Sequence, residues 1–500
     1  MTAVSDRVTG PTWSDSESGT YPGRFPLSVE RHVMNTVDRL VPGVTTVTLN
    51  ARYYPLHGLV AAEARDRSVG LSAAQDLMRR VEVAIGAVSA RHLHVDPDDH
   101  VALSRPHGYD IISPPVRDGG IDVGALAAPH IYAQPSWGFW SAYRGSEMVL
   151  RIVTRADDIA PGDRLDLHAV SEGLGEVLGL AAQSTLDTDS LDNHAHLCIC
   201  RSISSLDGAW LANLFAAPYA DRPTTRAGIR RQTLRMIARS IQLTNVEFVT
   251  QDMAPFLAYS DEGFEDDVLA SLDITAEWRG LVLRNMSVAA WRDLWAWIVN
   301  GIDGLTTRSS LGDRFADALP QDTVSAFRAK LPPTLTTAGH PAPAEFDADL
   351  EATNDPRYNL SLLMLGAQRA GELSGHELHG FQGHDPEDIF EELAPAWLAG
   401  QLDAWNDRSV RDFASWLTDV MLNRSQRLAL RKARPDVKKG ILKIPTRVHL
   451  RDGFVFCDSA ETGGPAALRL DQLVGVLAGM GLLAREAGTW ALGPRGDLLA

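Results

Sequence analysis

The segment NRSQRLALRKARPDVKKGILKIPTRVHLRDGFVFCD, residues 423–458, concentrates positive charge in a chain whose formal net charge is −17. At its start, Arg424, Arg427 and Arg431 are spaced by three and four residues, which predicts that they share one face of a helix. The two apolar runs that follow are typical of strands, and the Asp452-Gly453 step between them favours a tight hairpin. This segment therefore predicts a basic helix followed by a β-hairpin.

The next segment, LRLDQLVGVLAGMGLLAREAGTWALGPRG, residues 468–496, predicts one more helix and a second small hairpin. The helix is expected over about residues 468–480, because Gly481 can adopt the left-handed conformation that often ends a helix. Two short strands are expected on either side of Gly488. The chain therefore ends in the order helix, strand, turn, strand.

These last residues resemble the winged-helix family, in which a helix is followed by a Gly-Leu-Leu strand, a short wing and a closing Trp-x-Leu-x-Pro-x-Gly pattern. Winged helices of transcription factors place such a helix in the DNA major groove, whereas those at the front of small-molecule methyltransferases form dimer interfaces. The resemblance therefore implies DNA contact or protein contact. The helix presents only Arg469, Asp471 and Gln472 beside mainly apolar side chains, which favours packing over base readout.

Contact with the phosphate backbone is a separate prediction, because it needs only clustered lysine and arginine side chains. The alternative is a solvated surface that balances an acidic neighbour. The residues predicted to contact nucleic acid are Arg424, Arg427, Arg431, Lys432, Lys438, Lys439, Lys443 and Arg469.

The composition excludes several classes of protein. A chain of 500 residues exceeds the usual size of one domain, and 45% hydrophobic with 22% charged residues is ordinary for a globular protein. It contains no apolar run of about 18 residues and no signal-peptide pattern at its start. Its three cysteines, Cys198, Cys200 and Cys457, do not form a disulfide framework pattern. We therefore expect a cytoplasmic protein with no membrane contact and no cofactor.

Helical periodicity dominates the rest of the chain and predicts, among others, helices over residues 226–243 and 410–431. In two further helices, the spacing of Leu77, Val81, Ile85 and Val88 and that of Trp291, Trp295 and Ile298 each predict one apolar face. The sequence predicts a mainly α, multi-domain protein with small β elements and a C-terminal winged-helix domain. The expected divisions are a disordered tail at 1–25, a mainly helical domain with some β structure at 26–220, a helical domain at 221–330, a Pro-rich linker at 331–346, a helical domain at 347–425 and the winged-helix domain at 426–500.

The stretch NHAHLCICRS, residues 193–202, contains the candidate metal ligands His194, His196, Cys198 and Cys200. Imidazole and thiolate are natural zinc ligands. On a strand all four would point to one side, but they would spread over roughly 20 Å, too far for one tetrahedral ion. On a helix they form two pairs that need further ligands from elsewhere. The alternative is a buried element in which the cysteines pack as small apolar residues.

Other motifs argue against common catalytic classes. No lysine follows a glycine, which excludes a Walker-type ATPase, and no G-x-S-x-G elbow is present. The stretch SGHELHGFQGH, residues 374–384, lacks HExxH spacing, and its glycines predict a loop. Asp436 and Lys438 form an isolated D-x-K, as in metal-dependent nucleases, without a second acidic strand residue.

Together these patterns predict a non-catalytic component that contacts nucleic acid or protein through the basic helix and the C-terminal domain, with DNA, a protein partner or a second copy as partner. The whole chain also resembles accessory proteins of bacterial anti-phage defence systems. The alternatives are a metal-dependent enzyme whose site is assembled around His194, His196 and Cys198, and a homodimerising scaffold without DNA contact.

Overall fold

The computed structural model describes residues 24–100, 104–132, 137–155, 159–218, 222–304, 306–346, 355–436 and 441–500. Two compact units divide the chain, and each is built from discontinuous segments. Unit 1 lies within residues 1–36 and 276–467, and unit 2 lies within residues 37–275 and 468–500. The proposed linker at 331–346 therefore falls inside unit 1, and the last 33 residues belong with the N-terminal half of the chain.

The protein is mainly α-helical, which confirms the predicted fold class. In chain order the α-helices are α1 (Arg31–Leu40), α2 (Tyr53–Asp66), α3 (Leu71–Val95), α4 (Tyr109–Arg117), α5 (Val123–Ala127), α6 (Trp140–Leu150), α7 (Leu167–Leu174), α8 (Glu176–Ala182), α9 (Thr188–Asn193), α10 (Leu206–Ala216), α11 (Arg226–Leu243), α12 (Ala254–Tyr259), α13 (Asp261–Glu265), α14 (Asp267–Ala270), α15 (Asp273–Asn300), α16 (Arg308–Asp317), α17 (Val324–Arg328), α18 (Pro356–Glu372), α19 (Gly375–Gln382), α20 (Pro386–Ile389), α21 (Pro395–Ala404), α22 (Val410–Arg431) and α23 (Leu470–Gly479). Short 3₁₀ segments occur at Ala195–Leu197, Ile199–Ile203, Ala344–Phe346 and Gly496–Leu499, and a π-helical turn at Val249–Met253.

The β structure consists of short antiparallel strands. They are β1 (Gly120–Asp122), β2 (Val153–Arg155), β3 (Ile159–Pro161), β4 (Thr185–Asp187), β5 (Thr306–Thr307), β6 (Arg434–Asp436), β7 (Ile441–Lys443), β8 (Val448–Arg451), β9 (Phe454–Cys457), β10 (Leu483–Glu486) and β11 (Thr489–Leu492). The sheets are β1–β4, β2–β3, β5–β9–β8, β6–β7 and β10–β11. Each is too small to form a core by itself.

Both predicted hairpins are present. Strands β8 and β9 pair around Asp452 and Gly453, whose φ angles of 52° and 84° are the positive values that the Asp-Gly step favours. Helix α23 ends before Gly481 (φ 75°), and the β10–β11 hairpin turns at Ala487 and Gly488. The local order helix, strand, turn, strand is therefore confirmed, whereas membership of the winged-helix family stays a prediction.

Helix prediction succeeded where periodicity was long and failed where glycine and proline were interpreted too simply. Helices α11 and α22 have the predicted bounds. The segment 375–382, predicted to be a loop because of its glycines, is helix α19. A Cβ atom on Gly380 would lie 2.0 Å from the carbonyl oxygen of Glu277, so this glycine serves close packing of α19 on α15 rather than a turn.

Unit 1 buries the tryptophan-rich face of α15. Trp291, Trp295 and Ile298, predicted to share one face, are each no more than 2% exposed. Within the described residues, every helix, α15 included, is too short or too polar to cross a membrane. The tryptophans therefore fill a protein core.

Unit 2 is organised around the long helix α3. Val81, Ile85 and Val88, which occupy the predicted apolar face, are completely buried. Helices α2, α4, α5, α8 and α9 pack against α3, as do the 3₁₀ segments that follow α9. The C-terminal end of α3 therefore lies next to residues about a hundred positions later in the chain.

Inside unit 2, the imidazole of His57 lies between two buried glutamates. Its Nδ1 atom is 2.5 Å from Glu147 Oε1 and its Nε2 atom is 2.8 Å from Glu82 Oε1, and none of the three side chains is exposed. Burial by itself would lower the pKa of His57, but the two carboxylates outweigh burial and raise this pKa to about 9. Burial also raises the pKa of both glutamates. His57 is therefore protonated in the folded protein at neutral pH.

We expect the free energy of unfolding to fall as the pH rises from about 6.5 to about 9. The folded state binds the His57 proton more tightly than the unfolded state, so the contribution is complete below pH 6.5 and is lost as the pH rises through about 9. It is worth about 3 kcal/mol at most. Denaturant titrations at several pH values should show the difference between wild type and His57→Gln shrinking as the pH rises. The exposed His168→Gln should follow wild type, and a His57→Gln difference that is constant with pH would contradict the prediction.

Candidate metal centre

Four side chains converge at one point inside unit 2. The ligand atoms of His92, His100, Cys198 and Cys200 all lie within 4.8 Å of one another, and all four residues are buried. The two Sγ atoms are 3.3 Å apart, and the two Nδ1 atoms are 3.4 Å apart. Cys198 Sγ is 3.3 Å from His100 Nδ1, and Cys200 Sγ is 3.4 Å from His92 Nδ1.

Four of the six donor–donor separations are 3.3–3.4 Å, and the other two are no longer than 4.8 Å, so all four donors surround one small space. With Zn–S bonds of about 2.3 Å and Zn–N bonds of about 2.0–2.1 Å, a tetrahedral zinc ion places its donors about 3.3–3.8 Å apart. The four separations of 3.3–3.4 Å lie at the lower end of that range. Two thiols and two imidazoles are also the donor set of structural zinc sites. The donor set and its geometry both fit zinc.

The local fold explains how a Cys-x-Cys pair can supply two adjacent ligands. Cys198 has extended dihedrals (φ −53°, ψ 144°) and separates two short 3₁₀ segments. The predicted straight strand or helix is therefore wrong: the chain turns at Cys198, so both thiols reach the same point. His92 lies in the last turn of α3, and His100 follows it after a tight turn in which the Asp99 amide donates to Asp96.

One hydrogen bond ties the cysteine turn to α3. The hydroxyl of Ser89, one turn before His92, accepts from the amide of Ile199 at 3.1 Å. The same hydroxyl donates to the carbonyl of Ile85 at 2.7 Å. The backbone between the two cysteines is therefore fixed directly to the helix that carries His92.

A buried arginine fixes the other side of the turn. The guanidinium of Arg52 donates to the carbonyls of Cys198 (2.7 Å), His196 (2.8 Å) and Gly173 (2.9 Å). It also makes two bonds of 3.2 Å to the carboxylate of Asp207, and neither charged side chain is exposed. All five N–H donors of this guanidinium are used, so the charge is fully satisfied in the interior.

The two thiols differ in acidity. Burial acts to raise the pKa of Cys198, but hydrogen bonds from Cys200 and Ser89 and the charge of Arg52 outweigh it and lower this pKa. The bond to Cys198, with burial, raises the pKa of Cys200 to about 12. Cys200 Sγ donates to Cys198 Sγ across 3.3 Å, and a bound cation would displace the thiol protons.

His92 has the partner that zinc-bound imidazoles usually have. Its Nδ1 atom faces the cluster, and its Nε2 atom lies 3.3 Å from the carboxylate of Asp99. Asp99 also pairs with Arg201, and these bonds lower the pKa of its carboxyl group. Nε2 also lies 3.2 Å from the Arg201 guanidinium, so it faces both members of the Asp99–Arg201 pair, and Nδ1 is the nitrogen turned toward the cluster.

Two of the four candidate metal ligands predicted from the sequence therefore lie in this cluster, and two other residues complete it. Cys198 and Cys200 join the cluster, whereas His194 and His196 face the carboxylate of Glu176 on α8. His92 and His100 were missed, because only folding brings α3 to the cysteine turn. The one available sign was the histidine-rich run RHLHVDPDDH, residues 91–100.

In α22, the predicted basic helix, part of the positive charge is paired with acidic side chains of unit 1. Arg424 is 6% exposed, donates to the carbonyl of Leu27 and pairs with Glu391. Arg427 is half exposed and pairs with Glu392 at 2.5 Å. The guanidinium of Arg424 is therefore buried and paired inside unit 1, and its contact with phosphate stays a prediction.

The remaining basic residues of this region differ in accessibility. Arg431, Lys432 and Lys443 are exposed, and Lys432 donates to the backbone carbonyl of Arg24. Lys438 and Lys439 lie outside the described residues.

The polar side chains of α23 are also used within unit 2. Arg469, which precedes the helix, donates to the carbonyl of Val44 and pairs with Asp38. Asp471 accepts from the Thr250 hydroxyl at 2.5 Å. The helix is thus held by its polar residues as well as by its apolar face.

No protein-family model matches the chain, and neither a curated protein nor a solved structure shows significant similarity to it. The chemistry of the site therefore follows from its own geometry.

We expect Arg52→Met to lower the free energy of unfolding by about 3–5 kcal/mol, because it leaves the buried Asp207 carboxylate without a partner. Denaturant titration measures this loss. The matched control is Arg65→Met, an exposed arginine on α2, which should change stability by no more than about 0.5 kcal/mol. A similar loss in both variants would contradict the role given to Arg52.

Proposed function

We propose that this protein binds one structural zinc ion through His92, His100, Cys198 and Cys200, and that unit 2 works as a zinc-stapled, non-catalytic scaffold. The observation that carries the proposal is the convergence of four buried N and S donors, four of whose mutual separations are 3.3–3.4 Å. A Cys₂His₂ set closes the coordination shell, whereas catalytic zinc sites keep one position for water.

The ion would act as a long-range cross-link. His100 and Cys198 are 98 residues apart in the chain, so bringing them together costs loop-closure entropy in the unfolded state. Zinc bound only by the folded state stabilises that state by mass action, by about 4 kcal/mol at a free zinc concentration of about 1,000 Kd. The zinc ion would join α3 to the turn that Arg52 and Ser89 already hold.

We expect the full chain, purified under reducing conditions, to contain about one zinc ion per molecule by elemental analysis. Cys200→Ser should lose that zinc and unfold at a lower temperature, because one ligand is replaced by a weak one. Asp99→Asn should retain zinc with an affinity reduced about 10–100-fold, because the outer partner of His92 is lost.

The matched control is Cys457→Ser, which removes the third cysteine from unit 1 and should keep both zinc and stability. Zinc-free wild-type protein, or equal zinc content in Cys200→Ser and Cys457→Ser, would disprove the proposed site.

A second candidate function is nucleic-acid contact by unit 1. The favouring observation is that Arg431, Lys432 and Arg434, at the end of α22 and in β6, all have exposed side chains. Clustered exposed cations are sufficient for contact with phosphates, without base readout. Since the whole chain carries a net charge of −17, such contact would be local and strongly dependent on salt.

Duplex DNA titrated at low and physiological salt tests this candidate. We expect Arg431→Glu with Arg434→Glu to weaken binding by at least about tenfold and to reduce the salt slope by roughly two. Arg424 is left unchanged, because it is buried. The control with the same charge change is Arg65→Glu with Arg67→Glu on unit 2. Equal weakening in both double variants would show a general charge effect and contradict the local contact.

A further inference from the structure

A second group of metal-binding side chains lies on the same turn, on the solvent side. Glu176 Oε2, at the start of α8, is 3.2 Å from His196 Nε2 and 3.8 Å from His194 Nε2. The side chains of His194, His196 and Glu176 are 27%, 52% and 65% exposed. Two imidazole nitrogens thus face one carboxylate oxygen at the protein surface.

The orientation of the His194 ring is set by its other nitrogen. Nδ1 of His194 lies 2.7 Å from the backbone carbonyl of Ser190, which can only accept a hydrogen bond. Nδ1 therefore carries the proton, and in the neutral ring the lone pair of Nε2 faces the Glu176 carboxylate. Imidazoles that bind metals through Nε2 usually donate Nδ1–H to a carbonyl in this way.

We infer that Glu176, His194 and His196 form a second, solvent-accessible site for a divalent transition metal such as Ni²⁺ or Zn²⁺. Two imidazoles and a carboxylate suit such ions, and bonds of about 2.0–2.2 Å place neighbouring donors about 3.4 Å apart. Small rotations of the exposed His196 and Glu176 side chains bring all three donors around one ion. Three protein ligands leave the remaining positions to water, unlike the closed cluster behind them.

The two sites are mechanically linked. His196 is two residues before Cys198, and Arg52 holds the carbonyls of both residues. The inference therefore rests on the proposed zinc site, because the closed centre fixes the turn from which His196 projects. The outer site is expected to bind more weakly and to exchange faster, since it has fewer ligands and more mobile side chains.

Calorimetric titration of Ni²⁺ into the full, zinc-loaded chain without a polyhistidine tag tests the inference. We expect about one Ni²⁺ to bind per chain, with the first zinc still present by elemental analysis afterwards. Glu176→Gln and His196→Gln should each weaken Ni²⁺ binding by at least about tenfold without loss of zinc. The matched control is Glu172→Gln, an exposed glutamate one turn earlier on α7, which should bind Ni²⁺ as wild type does.

The two proposals fail in different ways. A zinc-loaded chain that binds no Ni²⁺, or Glu176→Gln that binds it as tightly as Glu172→Gln, overturns the outer site and leaves the closed site standing. A chain that never retains zinc overturns the closed site. Ni²⁺ binding that Glu176→Gln abolishes would in that case still support the outer donors but contradict the linkage between the two sites.

Discussion

The Arg52 guanidinium is the constraint on which the metal centre depends. A buried charge is tolerated only when every donor is satisfied, and Arg52 meets this requirement through Asp207 and three backbone carbonyls. Because those partners come from α7, α10 and the cysteine turn, satisfying one side chain fixes several elements at once.

The turn that Arg52 holds presents two kinds of donor to two environments. Toward the interior it places two soft sulfur ligands beside the imidazoles of His92 and His100, a set that suits a tetrahedral ion with no water. Toward solvent it places imidazoles beside a carboxylate, a set that suits an ion which keeps water ligands. We view this arrangement as a structural centre that positions an exchangeable one. The charge on Arg52 also favours the thiolate form of Cys198, so the arginine contributes electrostatically as well as sterically.

In unit 1, the spacing of charged residues along the sequence did not predict which of them are exposed. The spacing of Arg424, Arg427 and Arg431 suggested a single positive face. In the structure, however, Arg424 pairs with Glu391 and donates to the Leu27 carbonyl. Charge neutralisation by residues distant in the chain is invisible to local pattern analysis. The exposed cations that remain cluster at the C-terminal end of α22, where the helix dipole also favours positive charge.

The sequence by itself determined the elements whose causes are local. The bounds of α11 and α22, the β8–β9 hairpin at Asp452-Gly453 and the buried faces of α3 and α15 follow from periodicity and turn chemistry within a few residues. The Cys-x-Cys pair was also recognisable as a metal candidate. Its partners were not, because His92 and His100 reach Cys198 only when α3 packs on a turn about a hundred residues later. Only the tertiary structure decided the ligand set, the burial of Arg424 and the helical state of residues 375–382. Each depends on contacts between segments that are distant in the sequence, so a local sequence pattern does not predict it.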